Sequence, residues 1–60
     1  MKQEWVIWFQ DGGGRTLVTS IEQLKKEALR FGFDAEEVLR KGQIDFIDED
    51  GAIMGGVFND

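Results

Sequence analysis

Carboxylates are the one set of side chains that this sequence crowds together in a way that could do chemistry. Asp45, Asp48, Glu49 and Asp50 fall close together, with Glu36 and Glu37 shortly before them, and no Lys or Arg follows Lys41. Such a group could exchange protons as paired general acid and base, ligate a hard cation, or present negative charge to a cationic surface. Acid–base work by a pair such as Asp45 and Asp48 needs a desolvated cleft that pushes two pKa values apart, and 60 residues scarcely build one. Calcium binding fails on register. With Asp48, Asp50 and Gly51 aligned on a calcium loop, Phe46 takes the first ligand position and Val57 the twelfth, so two required oxygens are missing. The third option, an electrostatic surface, survives.

Other routes to catalysis are closed by composition. The chain has no His and no Cys, which removes the usual neutral-pH proton shuttle, the thiolate nucleophile and the commonest transition-metal ligands. Ser20, the only serine, stands where a helix cap is needed and has no base to activate it. Gly12, Gly13 and Gly14 before Arg15 and Thr16 lack the ending of a P-loop and the spacing of a dinucleotide fingerprint, and they lead into a strand-like run. The expectation is a protein that is not an enzyme, with no cofactor, no metal and no small-molecule substrate.

Charge narrows the partners. The net charge is −5, but residues 1–33 sum to +1 and residues 34–60 to −6. A half of that sign repels a phosphate backbone and attracts basic protein surfaces. A direct nucleic-acid reading rests only on Lys25, Lys26 and Arg30 along one helix, and ranks third. The apolar run at residues 5–9 is too short for a membrane span. Absence of Cys suits a reducing interior, so the expected location is cytoplasmic.

The elements that must position these groups are legible from local signals, and all 60 residues read as a single domain, 1–60. Residues 4–10 are rich in β-formers and are broken by Asp11 and the glycines, after which residues 15–19 form a second strand, completing a hairpin. Thr19 and Ser20, with Glu22 and Gln23 three positions on, start a helix; Ile21, Leu24, Ala28 and Leu29 are expected to line its inner face, and Gly32 to end it. Asp34 caps a second helix, with Glu37 at the capping-box position and Gly42 closing it. Residues 43–48 and 52–58 then form a second hairpin around Asp50-Gly51, which predicts a type I′ turn. The order β-β-α-α-β-β implies an α+β fold: a small four-stranded, mainly antiparallel sheet with one helical layer on one face. A β-grasp arrangement, with first and last strands parallel, is one topology of this kind.

Strand alternation gives this sheet more apolar faces than one helical layer can cover. Trp5, Ile7 and Phe9 point one way and Val6 and Trp8 the other; Ile44 and Phe46 oppose Ile47, while Met54 and Phe58 share a parity across from Ile53 and Val57. Val6, Trp8, Ile47, Met54 and Phe58 are therefore expected on an uncovered face. Together with an acidic ridge of Glu36, Glu37, Asp45, Asp48, Glu49 and Asp50, they predict a protein-binding module. It would be a small acidic inhibitor or regulator that mimics nucleic-acid charge against a basic partner. In size, acidity and lack of catalytic equipment the chain is similar in general character to phage-encoded inhibitors of host enzymes, that is, to viral proteins. The alternative is a homodimeric structural or accessory domain whose apolar face pairs with itself. A blander role for the carboxylates is to solubilise the chain and keep an edge hairpin from pairing with neighbours.

Overall fold

A computed structural model describes residues 3–60. Strands β1 (Trp5–Phe9) and β2 (Arg15–Val18) are followed by helices α1 (Ile21–Phe31) and α2 (Ala35–Lys41), then strands β3 (Gln43–Ile47) and β4 (Ile53–Asn59). The four strands form one open sheet in the order β2-β1-β4-β3, every pair antiparallel. This is the α+β class expected, with the helices on one face. The β-grasp topology does not hold, because β1 and β4 are neighbours but run in opposite directions. The cause is the second helix: α1 carries the chain along the sheet, α2 carries it back, and that extra reversal inverts β3 and β4.

The local signals act largely as their chemistry dictates. Ser20 caps α1, its Oγ accepting the Gln23 amide at 3.1 Å, and Asp34 caps α2, its Oδ1 accepting the Glu36 amide at 3.0 Å. Glu37 does not close a capping box; its Oε2 accepts Lys41 Nζ at 3.2 Å, one turn further along. Leu29 is also not part of the inner face, being 88% exposed. The inward stripe of α1 is Ile21, Leu24, Ala28 and Phe31, at spacings of three and four, and Leu29 lies well round the helix from it.

Eight buried residues form the core: Trp5, Ile7, Val18, Leu24, Ala28, Ala35, Val38 and Val57. At the end of the sheet where β1 and β3 finish, four rings extend it. Phe9 stands 5.3 Å from Phe31 and 5.7 Å from Phe46, and Phe33 stands 5.7 Å from Phe46. At the opposite end the last residue of β4 is tied to the helical layer, as the Asn59 amide donates to the Gly42 carbonyl at 2.9 Å.

Two consecutive glycines make the centre of the sheet possible. Gly55 pairs with both Phe9 and Phe46, so the two rings meet over a residue with no side chain. On the other face the Trp8 indole leans over Gly56, with Nε1 only 3.3 Å from where a Cβ would stand. A Cβ on Gly55 would run into the Trp8 carbonyl oxygen and lie 3.1 Å from Phe9 Cα, and neither is the movable end of a side chain. Gly55→Ala is therefore expected to cost about 1–3 kcal/mol, the usual penalty of overpacking a fitted interior. Urea unfolding reads this directly, and an unchanged midpoint would show that β1 and β4 are not packed this closely.

Candidate binding face of the sheet

Register sets out the face away from the helices row by row. Leu17, Val6, Phe58 and Gln43 follow one another across β2, β1, β4 and β3, and the next row is Arg15, Trp8, Gly56 and Asp45. A bulge between Phe46 and Ile47 completes the face. Phe46 pairs with Gly55 but Ile47 with Ile53, so Met54 is the extra residue. Its carbonyl accepts the Gln10 amide at 2.9 Å. The bulge overturns the simple parity expected for β4, because it sets Ile53 opposite Ile47 on the open face beside Met54.

Val6, Trp8, Ile47, Met54 and Phe58 thus share one face, and the structure adds Leu17 and Ile53 to them. No other element lies over these residues among those described. Leu17 is 53% exposed, Ile47 63%, Ile53 47% and Met54 40%, while Val6, Trp8 and Phe58 are half-buried by their neighbours in the sheet. A shallow groove of about 320 Å³ runs between Trp8 and Phe58 on one side and Gln43 and Asp45 on the other. Leu17 and Ile53 were not singled out from sequence because their facing depends on β2 register and on the bulge, neither of which has a local signature.

The six carboxylates are not gathered on this face. Asp45 belongs to it, at the far end of the Trp8 row. Asp48, Glu49 and Asp50 make the tip of the β3–β4 hairpin, whereas Glu36 and Glu37 occupy the first turn of α2 on the opposite side of the sheet. They bracket the β3 edge from two layers, and among the described residues no three convergent acidic groups could hold a metal ion. The exposed cations on α1 are likewise partly occupied: Arg30 pairs with Glu27 at 3.8 Å and lies 5.2 Å from the Phe31 ring centre.

Asp48 has a structural task. Its Oδ1 accepts the amides of Asp50 and Ala52, each at 2.9 Å, and its carbonyl accepts the Gly51 amide at 3.1 Å. Gly51 alone in this turn has a positive φ, at 81°, so the expected type I′ geometry, which needs positive φ at Asp50 as well, is not formed. The carboxylate of Asp48 instead organises a three-residue loop closed by Gly51. At the other hairpin, Gly12 and Gly14 take positive φ between β1 and β2, ahead of a strand and not of a helix N-terminus.

No family model matches this chain, and comparison with curated proteins and with solved structures also finds no match. None of the described helices is long and apolar enough to cross a membrane.

Two outcomes follow from this geometry. Leu17→Ser and Ile47→Ser should each shift stability by no more than about 0.5 kcal/mol, as for exposed positions, and should lower binding of a hydrophobic dye. Costs of the size seen in buried Leu→Ala changes, about 2–5 kcal/mol, would mean that the face is covered. Asp48→Ala should cost about 1 kcal/mol by removing two turn hydrogen bonds, and Asp48→Asn much less, since an amide oxygen can accept both. Equal losses in the two variants would exclude the turn role.

Proposed function

We propose that this chain is a non-enzymatic protein-binding module whose open sheet face is its docking surface. The observation that carries the reading is the gathering of Val6, Trp8, Leu17, Ile47, Ile53, Met54 and Phe58 on the one sheet face that no helix covers. Two aromatic rings and a methionine among aliphatic side chains, with charges at the rim, is the composition of docking surfaces, in which a few large side chains supply most of the affinity. The groove beside Trp8 and Phe58 suits a projecting side chain from a partner.

The acidic rim selects the partner. Asp45 at the border of the face and Glu49 and Asp50 at the hairpin tip steer the module towards a basic protein surface, and the apolar residues determine how long the complex lasts. Occupying a basic surface in this way would make the chain a small inhibitor or regulator. Direct mimicry of nucleic acid is the less favoured form of this reading, because Glu36 and Glu37 stand on the helical side and the six carboxylates do not present one continuous surface.

Capture of basic proteins by the immobilised chain, at low and moderate salt, tests both halves. Ile47→Lys on the open face should abolish capture of a partner that wild type retains. Paired Glu49→Gln and Asp50→Asn changes should slow its association, and the difference should vanish as salt screens the charges. Capture that survives Ile47→Lys together with Leu17→Lys would overturn the docking face.

A further inference from the structure

We propose that the outer edge of β3 takes an extended basic segment of a partner protein as a fifth strand of the sheet. This goes beyond the docking face, because main-chain groups at one border of the sheet carry it. The phase of the ladder between β3 and β4 is the starting point. The Asn59 amide donates to the Gly42 carbonyl and the Asp48 amide to the Ala52 carbonyl, and these bonds flank the pairs of Gln43 with Phe58 and of Ile47 with Ile53. In an antiparallel ladder, residues of such flanked pairs turn their own N–H and C=O groups away from each other. Gln43, Asp45 and Ile47 therefore direct theirs outward from β3, which ends the strand order. Among the described residues none of these outward groups is hydrogen-bonded.

The opposite edge of the sheet is guarded. The Gln23 side chain reaches over from α1, accepts the Thr19 amide at 3.2 Å through Oε1 and donates from Nε2 to the Leu17 carbonyl at 3.3 Å. Its carboxamide fills the places that a residue of an added strand would use beside Val18, which blocks pairing there. β3 has no such cover, and it holds neither proline nor lysine. The extra residue of the bulge beside it belongs to β4, so the run of β3 itself is regular.

Charge selects the strand that pairs there. The elements that form and flank this edge, α2, β3, their hairpin and β4, fall in residues 34–60, which sum to −6. Arg40 and Lys41 are the only cations in that half, and Lys41 is already held by Glu37 at 3.2 Å. Because α2 turns Leu39 towards Trp5 and Ile21, its other flank, bearing Glu37, follows β3 on the helical side. Asp45 stands on the open side, and Asp48, Glu49 and Asp50 lie beyond Ile47. A second copy pairing edge to edge would bring two such acidic halves together in any register, whereas a basic segment is attracted in any register. Antiparallel addition, the more stable kind, sets one side chain of the segment opposite Asp45, with Cβ atoms about 5 Å apart. A side chain two residues away then meets Ile47, which is 63% exposed. The segment that fits best carries Lys or Arg opposite Asp45 and an apolar residue opposite Ile47, and its main-chain hydrogen bonds supply the affinity.

Titration of the isotope-labelled chain with an end-blocked peptide of alternating Val and Lys tests this through amide chemical shifts. The signals of Gln43, Asp45 and Ile47 should move most, and the movement should fade as salt rises. The same peptide methylated on all its backbone nitrogens keeps its charge but cannot donate, and should not bind. Asp45→Pro should block addition from the other side, since proline is tolerated on an edge strand where the N–H faces solvent; circular dichroism confirms that the variant folds. Asp45→Asn should weaken binding only roughly two- to fivefold, the worth of one exposed ion pair, and Leu17→Lys, on the far strand, should change it little. Equal binding by Asp45→Pro and wild type, equal binding of the methylated peptide, or no movement of the β3 amides at millimolar peptide would overturn strand addition. Failure of the docking face shows differently, as capture that survives Ile47→Lys together with Leu17→Lys.

Discussion

A single layer of helices can remove only one face of a sheet from water, and in this chain both faces are apolar. That constraint governs the structure. Trp5, Ile7, Val18 and Val57 are buried beneath α1 and α2, while the alternate residues of the same strands, Val6, Leu17 and Phe58, remain on the other side. Burying one large apolar side chain contributes roughly 1.5–3 kcal/mol, so a sequence selected only to fold alone would gain little from keeping seven such residues on the open side. Their retention is the observation on which the proposed binding role rests.

The close approach of β1 and β4 links that constraint to a specific shape. Gly55 lets Phe9 and Phe46 meet above the core, and Gly56 lets Trp8 lie towards β4 on the open face. The same two residues therefore tighten the inside and flatten the outside. The flattened row ends in Arg15 on one edge and Asp45 on the other, with the hairpin carboxylates beyond it.

Much of this was legible in the sequence where the signal was local. Ser20 and Asp34 capped helices as their types require, Gly32 and Gly42 ended them, and the glycine run and Asp50-Gly51 marked hairpins. Alternation along β1 correctly separated Val6 and Trp8 from Trp5, Ile7 and Phe9. What could not be read depended on which groups meet once the chain is folded, whether near in sequence or far from it. The Asp48 carboxylate decided the turn type by accepting two amides, a bulge decided the facing of Ile53, and the glycine pair has a reason only once β1 is known to lie beside β4. Leu29 was misplaced because its spacing from Leu24 and Ala28 resembles an inward stripe that Phe31 in fact completes.

The central claim is that the isolated molecule leaves one sheet face in water, and solvent paramagnetic relaxation of methyl signals at low protein concentration tests it most directly. The account predicts strong broadening by a soluble paramagnetic probe at Leu17, Ile47, Ile53 and Met54, with Ile7, Leu24, Val38 and Val57 protected. Equal protection of Ile47 and Ile7 would contradict it.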